Sequence, residues 1–165
     1  MKETKRLSYI YPKRETARRV LAVLFWLLAA ACAACIFWLS SRDADDSQNM
    51  SDSFRGLFEK LFGWLPGSFL IRKFAHFFEY AGLGFLLSCA LFLTRRRISP
   101  IISLICCVLY SVSDEVHQYF VPGRACRIFD VAVDTAGAAV GTLFFLLILL
   151  IVNSIAARRL EKSYS

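Results

Sequence analysis

SVSDEVHQYFVPGR (111–124) places Asp114, Glu115, His117 and Gln118 within five positions at the end of an apolar run. On a soluble protein such a cluster would be ordinary surface. Inside a bilayer, ionisable groups on a helix are costly and turn toward a bundle interior or a wet boundary. The surrounding residues decide between these readings. ISPIISLICCVLYSVSDEVHQYF (98–120) is long enough to cross a bilayer, since about 20 helical residues at about 1.5 Å each span a core of about 30 Å.

Three further runs meet the same length. VLAVLFWLLAAACAACIFWL (20–39) carries no charge. FAHFFEYAGLGFLLSCALFL (74–93) has His76 and Glu79 near its start, and FDVAVDTAGAAVGTLFFLLILLIV (129–152) has Asp130 and Asp134 near its start. Of the 165 residues, 57% are apolar and 15 are Phe, and the mean hydropathy is +0.51. This composition belongs to a membrane protein rather than a soluble domain. The expected fold is all-α, with four transmembrane helices over about 20–39, 74–93, 98–118 and 129–152. Together they form one transmembrane domain (20–152) between tails at 1–19 and 153–165.

The net charge of +7 does not point to nucleic acid. The basic residues flank apolar runs and form no continuous basic face. They set orientation instead. Lys2, Lys5, Arg6, Lys13, Arg14, Arg18 and Arg19 precede the first span, Arg95-Arg96-Arg97 follows the second, and Arg158, Arg159 and Lys162 follow the fourth. These regions alternate so as to share one side. The long first loop balances five basic residues with five acidic ones, and the third carries only Arg124 and Arg127. Both termini are therefore expected in the cytoplasm of a multi-pass cytoplasmic-membrane protein. The first span is too long for a typical signal-peptide core and is expected to be retained.

With that orientation the start of the second span, the end of the third and the start of the fourth lie at one outer face. The polar residues collect there. Lys73, His76, Glu79 and Tyr80 share a helical face, as do Asp114, His117 and Gln118, and Asp130 and Asp134. Glu115 lies about 100° from Asp114 and is expected to face elsewhere. Asp134, Gly137 and Gly141 form one stripe, and Gly-x-x-x-Gly is a close-packing pattern for helices in lipid. Each of these polar residues has an ordinary reading as an interfacial group or a helix–helix hydrogen bond; their alignment at one level favours a polar site.

Pro122-Gly123 marks a tight outer turn. It presents Arg124, whose planar fork suits carboxylate or phosphate, or alternatively a salt bridge to Asp130. In the first outer loop, Phe54, Leu57, Phe58, Leu61, Phe62 and Leu65 recur at helical spacing after a Ser53 N-cap. They imply an interfacial amphipathic helix, either an anchor or a lid. Five of the six cysteines lie in apolar spans and Cys126 in an outer loop, so no disulfide framework follows.

Three stretches together resemble the VanZ-like membrane proteins: RKFAHFFEYAGLGFLL (72–87), SDEVHQYFVPGRACRIFDVAVDTAGAAVG (113–141) and the polar run after Trp38. The resemblance covers about residues 38–150. It rests on Lys73-x-x-His76-x-x-x-Tyr80, Glu115-x-x-Gln118, Pro-Gly-Arg, Asp130, Asp134 and two glycines. It implies site roles for Lys73, His76, Tyr80, Glu115, Gln118, Arg124, Asp130 and Asp134, with position 134 often Asn. It favours Glu115 over Asp114, which a helix unwound near Val116 would reconcile with the spacing. The family is named for a protein of glycopeptide-resistance clusters associated with teicoplanin resistance, which implies an envelope role.

Three functions fit the residues. The first is binding or handling of an envelope lipid, a lipid-linked precursor or a lipoglycopeptide, with Arg124, Lys73 and Arg72 contacting an anion. The second is a membrane-embedded hydrolase or transferase on a lipid phosphate, with His76, Glu115 and His117 as catalytic candidates. A metal-assisted variant would use His76, Glu79, Asp114 and His117, although Lys73 and Arg124 would repel a cation, and no cofactor is expected. The third is a structural partner protein.

Overall fold

The computed structural model describes residues 15–42, 56, 59–60, 63, 67–124 and 126–164, with backbone alone at 68 and 160–164. The expected loop helix at 54–65, its Ser53 cap and residues 1–14 of the basic tail lie largely or wholly outside that set. The described residues form four long helices and no strand. We number them α1 (Glu15–Ser40), α2 (Ser68–Arg95), α3 (Pro100–Tyr119) and α4 (Ile128–Tyr164). All four are long and apolar enough to cross a membrane.

Helix ends follow the local chemistry. Pro100 opens α3 at its first turn, where a missing N–H costs nothing. Arg96 closes α2 in the left-handed region, its N–H donating to Phe92 O. Val121 O accepts from Arg124 N at 3.1 Å across Pro122 and Gly123, and Gly123 takes φ 73°. That is the arrangement a proline–glycine turn requires. Helix α4 runs on to Tyr164, past the expected end of its apolar span near residue 152. The added stretch contains Ala156, Ala157, Arg158 and Arg159, good helix formers with no Gly or Pro to stop them.

Helix α2 is the hub, packing most extensively on α4, then on α1. Glycine explains the first contact. A Cβ on Gly141 would lie 1.8 Å from Ala81 O, one on Gly137 2.1 Å from Phe77 O, and one on Gly84 2.5 Å from Ala138 O. The two backbones therefore touch along the expected glycine stripe. Helix α1 is peripheral. Its buried apolar residues Ala22, Ala29 and Ile36 fall every seven residues, while Val23, Leu27, Phe37 and Trp38 are among the exposed side chains on the rest of its surface.

The interior changes character along the bundle. At one end, Ala22, Cys89, Phe92, Leu93, Phe145 and Leu149 form an apolar cluster. Beside it Arg18 donates to Leu93 O and to Glu15, and Arg96 reaches Glu15 at 2.6 Å. The start of α1 and the end of α2 thus share a level. Ala29, Ile36, Leu83, Cys107 and Ala138 fill the middle around Tyr80. Beyond them the interior becomes polar.

Candidate functional site

The polar end is built from the end of α1, the start of α2, the end of α3, the α3–α4 turn and the start of α4. Helix α3 contributes a buried stripe of Ser103, Cys107, Ser111, Asp114, Glu115 and Gln118. Helix α3 is unbroken through Val116, which is exposed. Asp114 and Glu115 are nevertheless both buried, at 3% and 2% exposure. No unwinding is needed, because two neighbours flank the helix. Asp114 Oδ2 accepts from Ser40 Oγ on α1 at 2.8 Å. Glu115 Oε2 accepts from the Arg127 backbone N–H, just before α4, at 2.8 Å. The expectation that only one of the two faces inward is corrected by this sandwiching.

Gln118 links the layers. Its amide nitrogen donates to Asp114 Oδ2 at 2.9 Å and Ser40 Oγ at 3.3 Å, and its oxygen accepts from Arg124 at 3.2 Å. Arg124 also donates to the carbonyls of Leu39 and Arg42. The expected Arg124–Asp130 bridge does not form; Lys73 pairs with Asp130 instead and ties α2 to α4. Burial, and then the charge of nearby Arg72, pull the Arg124 guanidinium below its ordinary pKa. The group is thus held partly out of water beside another cation.

The His76 ring lies against α4. Its Nδ1 is buried, 3.7 Å from Asp134 Oδ1 and 4.0 Å from Glu79 Oε2. Asp134 is fully buried, and its other oxygen accepts from Ser111 Oγ at 2.7 Å. Tyr80 is also fully buried, one turn deeper on α2 and 6.2 Å from the ring of Tyr110. His117 points toward α1, with Nε2 3.0 Å from Ser41 Oγ and its ring 4.5 Å from that of Phe37. The candidate metal set therefore divides between α2–α4 and α1–α3. Among the described residues no three His, Cys, Asp or Glu side chains are placed to hold one ion.

A cavity of about 140 Å³ opens between these elements, lined by Phe69, Arg72, Lys73, His76, Gln118, Gly123, Arg124, Arg127 and Asp130. Four basic side chains face one carboxylate there. Arg72 and Arg127 make no ion pair or side-chain hydrogen bond among the described residues. The sequence reading missed Ser40 and Ser111, short hydroxyl residues in apolar runs, and gave no site role to Arg127. An i, i+4 step back from a candidate acid would have reached neither Ser40 nor Arg127, because both are brought by other elements. Ser111 lies only three residues before Asp114.

The VanZ/LLP1 family model matches residues 25–150, which hold every element of this site. No curated protein and no solved structure matches the chain. Four spanning helices and a family match over most of the sequence agree: this chain is a multi-pass membrane protein and a member of the VanZ/LLP1 family.

Proposed function

We propose that this protein binds the anionic head group of an envelope lipid, or of a lipid-linked precursor, in the cavity between α2, α3 and α4. The observation that carries this reading is the lining of that cavity. Arg72, Lys73, Arg124 and Arg127 line it with a single carboxylate, Asp130, and among the described residues Arg72 and Arg127 make no ion pair or side-chain hydrogen bond. Uncompensated arginines at a partly dry site recognise planar oxyanions. The cavity also lies within two turns of the helix ends, the depth at which phosphates and sugars of a membrane lipid sit.

In this reading that face lies outside the cell, as the distribution of charge supports. Arg95, Arg96, Arg158 and Arg159 belong to the opposite end, which positive flanks hold in the cytoplasm. Cys126 is exposed at the cavity end, so a membrane-impermeant maleimide should label it in intact cells. A lipid-handling role there would act on the surface that lipoglycopeptides attack, and changed teicoplanin susceptibility would follow from it.

Binding tests the proposal. Purified protein in nanodiscs should retain a labelled lipid phosphate monoester over labelled phosphatidylcholine. Arg72→Ala and Arg127→Ala should each weaken that retention about tenfold, since a hydrogen bond to a charged group contributes about 1.5–3 kcal/mol. Equal retention of both lipids, or no effect of either variant, would remove the proposal.

A further inference from the structure

The anion cavity has a basic nitrogen in its wall. We propose that His76, flanked by Asp134 and Glu79, is a general base that activates water against a lipid phosphate monoester bound in the cavity, so that the site hydrolyses its ligand. The inference rests on the anion-binding reading above and adds a reaction to it.

The geometry supplies each part. Both carboxylates lie on the Nδ1 side of the ring, at 3.7 and 4.0 Å. Two acceptors behind one nitrogen place the imidazole proton on that nitrogen and leave the lone pair on Nε2. Nδ1 is buried, yet His76 lines the cavity. In the proposed arrangement the edge carrying Nε2 is the one turned to the cavity. Asp134 cannot turn away, because Ser111 holds its second oxygen at 2.7 Å and the residue is completely buried. A histidine backed by a carboxylate and facing a site for the reacting group is the arrangement general-base catalysis needs. At 3.7 Å the Nδ1–Asp134 pair is wider than a hydrogen bond, and contacts of catalytic groups often tighten only once substrate binds.

Charge selects the substrate class. Arg72 and Arg127 line the cavity with no ion pair among the described residues, beside the Lys73–Asp130 pair. A phosphate monoester carries about 1.5–2 negative charges near neutral pH and presents three acceptor oxygens, whereas a diester carries one charge. The cavity volume of about 140 Å³ is ample for a phosphate and a water, given that one water needs about 10–15 Å³. In the step, Nε2 takes a proton from water as the water oxygen bonds to phosphorus. The bond from phosphorus to the lipid oxygen breaks, and that oxygen takes a proton from solvent at the cavity mouth. His76 then returns its proton to solvent. The products are a lipid alcohol and inorganic phosphate. Asp134 and Glu79 are positioning residues that act through the ring.

The test uses full-length protein in phosphatidylcholine nanodiscs containing either phosphatidic acid or a polyprenyl phosphate, with phosphate release followed in ¹⁸O-water. The expected result is saturable release of phosphate carrying one ¹⁸O. His76→Gln should lower kcat at least about 100-fold, the usual scale for a general base, while lipid binding persists. His76→Asn serves if the glutamine variant does not fold. Asp134→Leu should lower kcat about tenfold or more with KM unchanged. Asp134→Asn, which keeps an acceptor oxygen toward Nδ1, should restore most of that loss; a merely structural role would give no such split. Release from one lipid alone identifies the glycerolipid or the polyprenol as the source of the phosphate. Binding without release from either lipid overturns the hydrolysis and leaves the binding reading standing. Absence of binding overturns both.

Discussion

The two ends of this bundle treat buried polar groups in opposite ways. At the basic end each is answered. Arg18 reaches both Glu15 and the Leu93 carbonyl. Farther in, Ser88 donates to Gly84 O at 2.7 Å, beside Ser103 and Thr142. At the cavity end, the His76 Nδ1, Tyr80 hydroxyl, Asp114 Oδ1, Glu115 Oε1 and Asp134 Oδ1 atoms are buried with no hydrogen-bond partner. Among the described residues every such atom belongs to this half. An unanswered buried polar group costs about 1–3 kcal/mol unless water reaches it. The difference separates a half whose buried polar groups are paired within the protein from a half whose polar groups surround a cavity.

The largest expected effect belongs to neither end but to the seam that joins them. Gly141→Val places a branched side chain where even a Cβ would lie 1.8 Å from the Ala81 carbonyl. Backbone cannot yield as a side-chain tip can. Destabilisation should reach or exceed the upper part of the about 1–3 kcal/mol typical of overpacking. Folded protein recovered after gentle solubilisation should fall sharply. Gly82→Ala is the matched control: its nearest neighbour would be Cys32 Sγ at 4.0 Å, and recovery should not change. A similar loss in both would mean that the sensitivity at Gly141 does not come from the close approach of α4 to α2.

Next comes Arg18→Ala at the answered end. It removes a buried guanidinium from Leu93 O and strips two contacts from Glu15. A loss of about 1–3 kcal/mol is expected, read as a lower thermal midpoint of the purified protein, with lipid binding at the far cavity unchanged.

These contrasts also show what the sequence made legible. Four spans were readable because uninterrupted apolar length has one explanation at this composition. The α2–α4 seam was readable because glycine at i, i+4 permits something no other residue does. The polar level was readable from which helix ends carried acids and histidine. Partner choice was not. Lys73 and Arg124 were both available to Asp130, and nothing local distinguishes them; the depth of each helix does. Asp114 and Glu115 were set in competition because a single inward face was assumed, whereas α3 is enclosed by α1 on one side and the start of α4 on the other. Ser40 carried no signal, since a serine ending an apolar run is ordinary.

Ser40→Ala is accordingly a smaller and more local test. The substitution removes the hydroxyl from Asp114 Oδ2, but Gln118 continues to donate to the same oxygen. A loss of about 1 kcal/mol is expected, the net worth of one hydrogen bond. If combined with Gln118→Ala, the losses should exceed the sum of the singles, because only then does Asp114 Oδ2 lose both donors. Additive losses would mean that the Ser40–Gln118–Asp114 contacts are independent rather than one network.

The smallest expected effect is the most telling for the comparison. Asp134 is wholly buried between α2, α3 and α4, so a structural role for its charge would make Asp134→Asn severe. The opposite outcome is expected. An amide fits the same volume, can still pair with the Ser111 hydroxyl 2.7 Å away, and no longer requires a charge to be held out of water. The thermal midpoint should therefore stay the same or rise, by no more than about 1 kcal/mol in stability. A large fall would mean that the carboxylate locks α4 into place through His76, and the cavity half would then be another answered end. A neutral or raised midpoint, beside the loss at Arg18, would show the two ends to be under different constraints in one molecule.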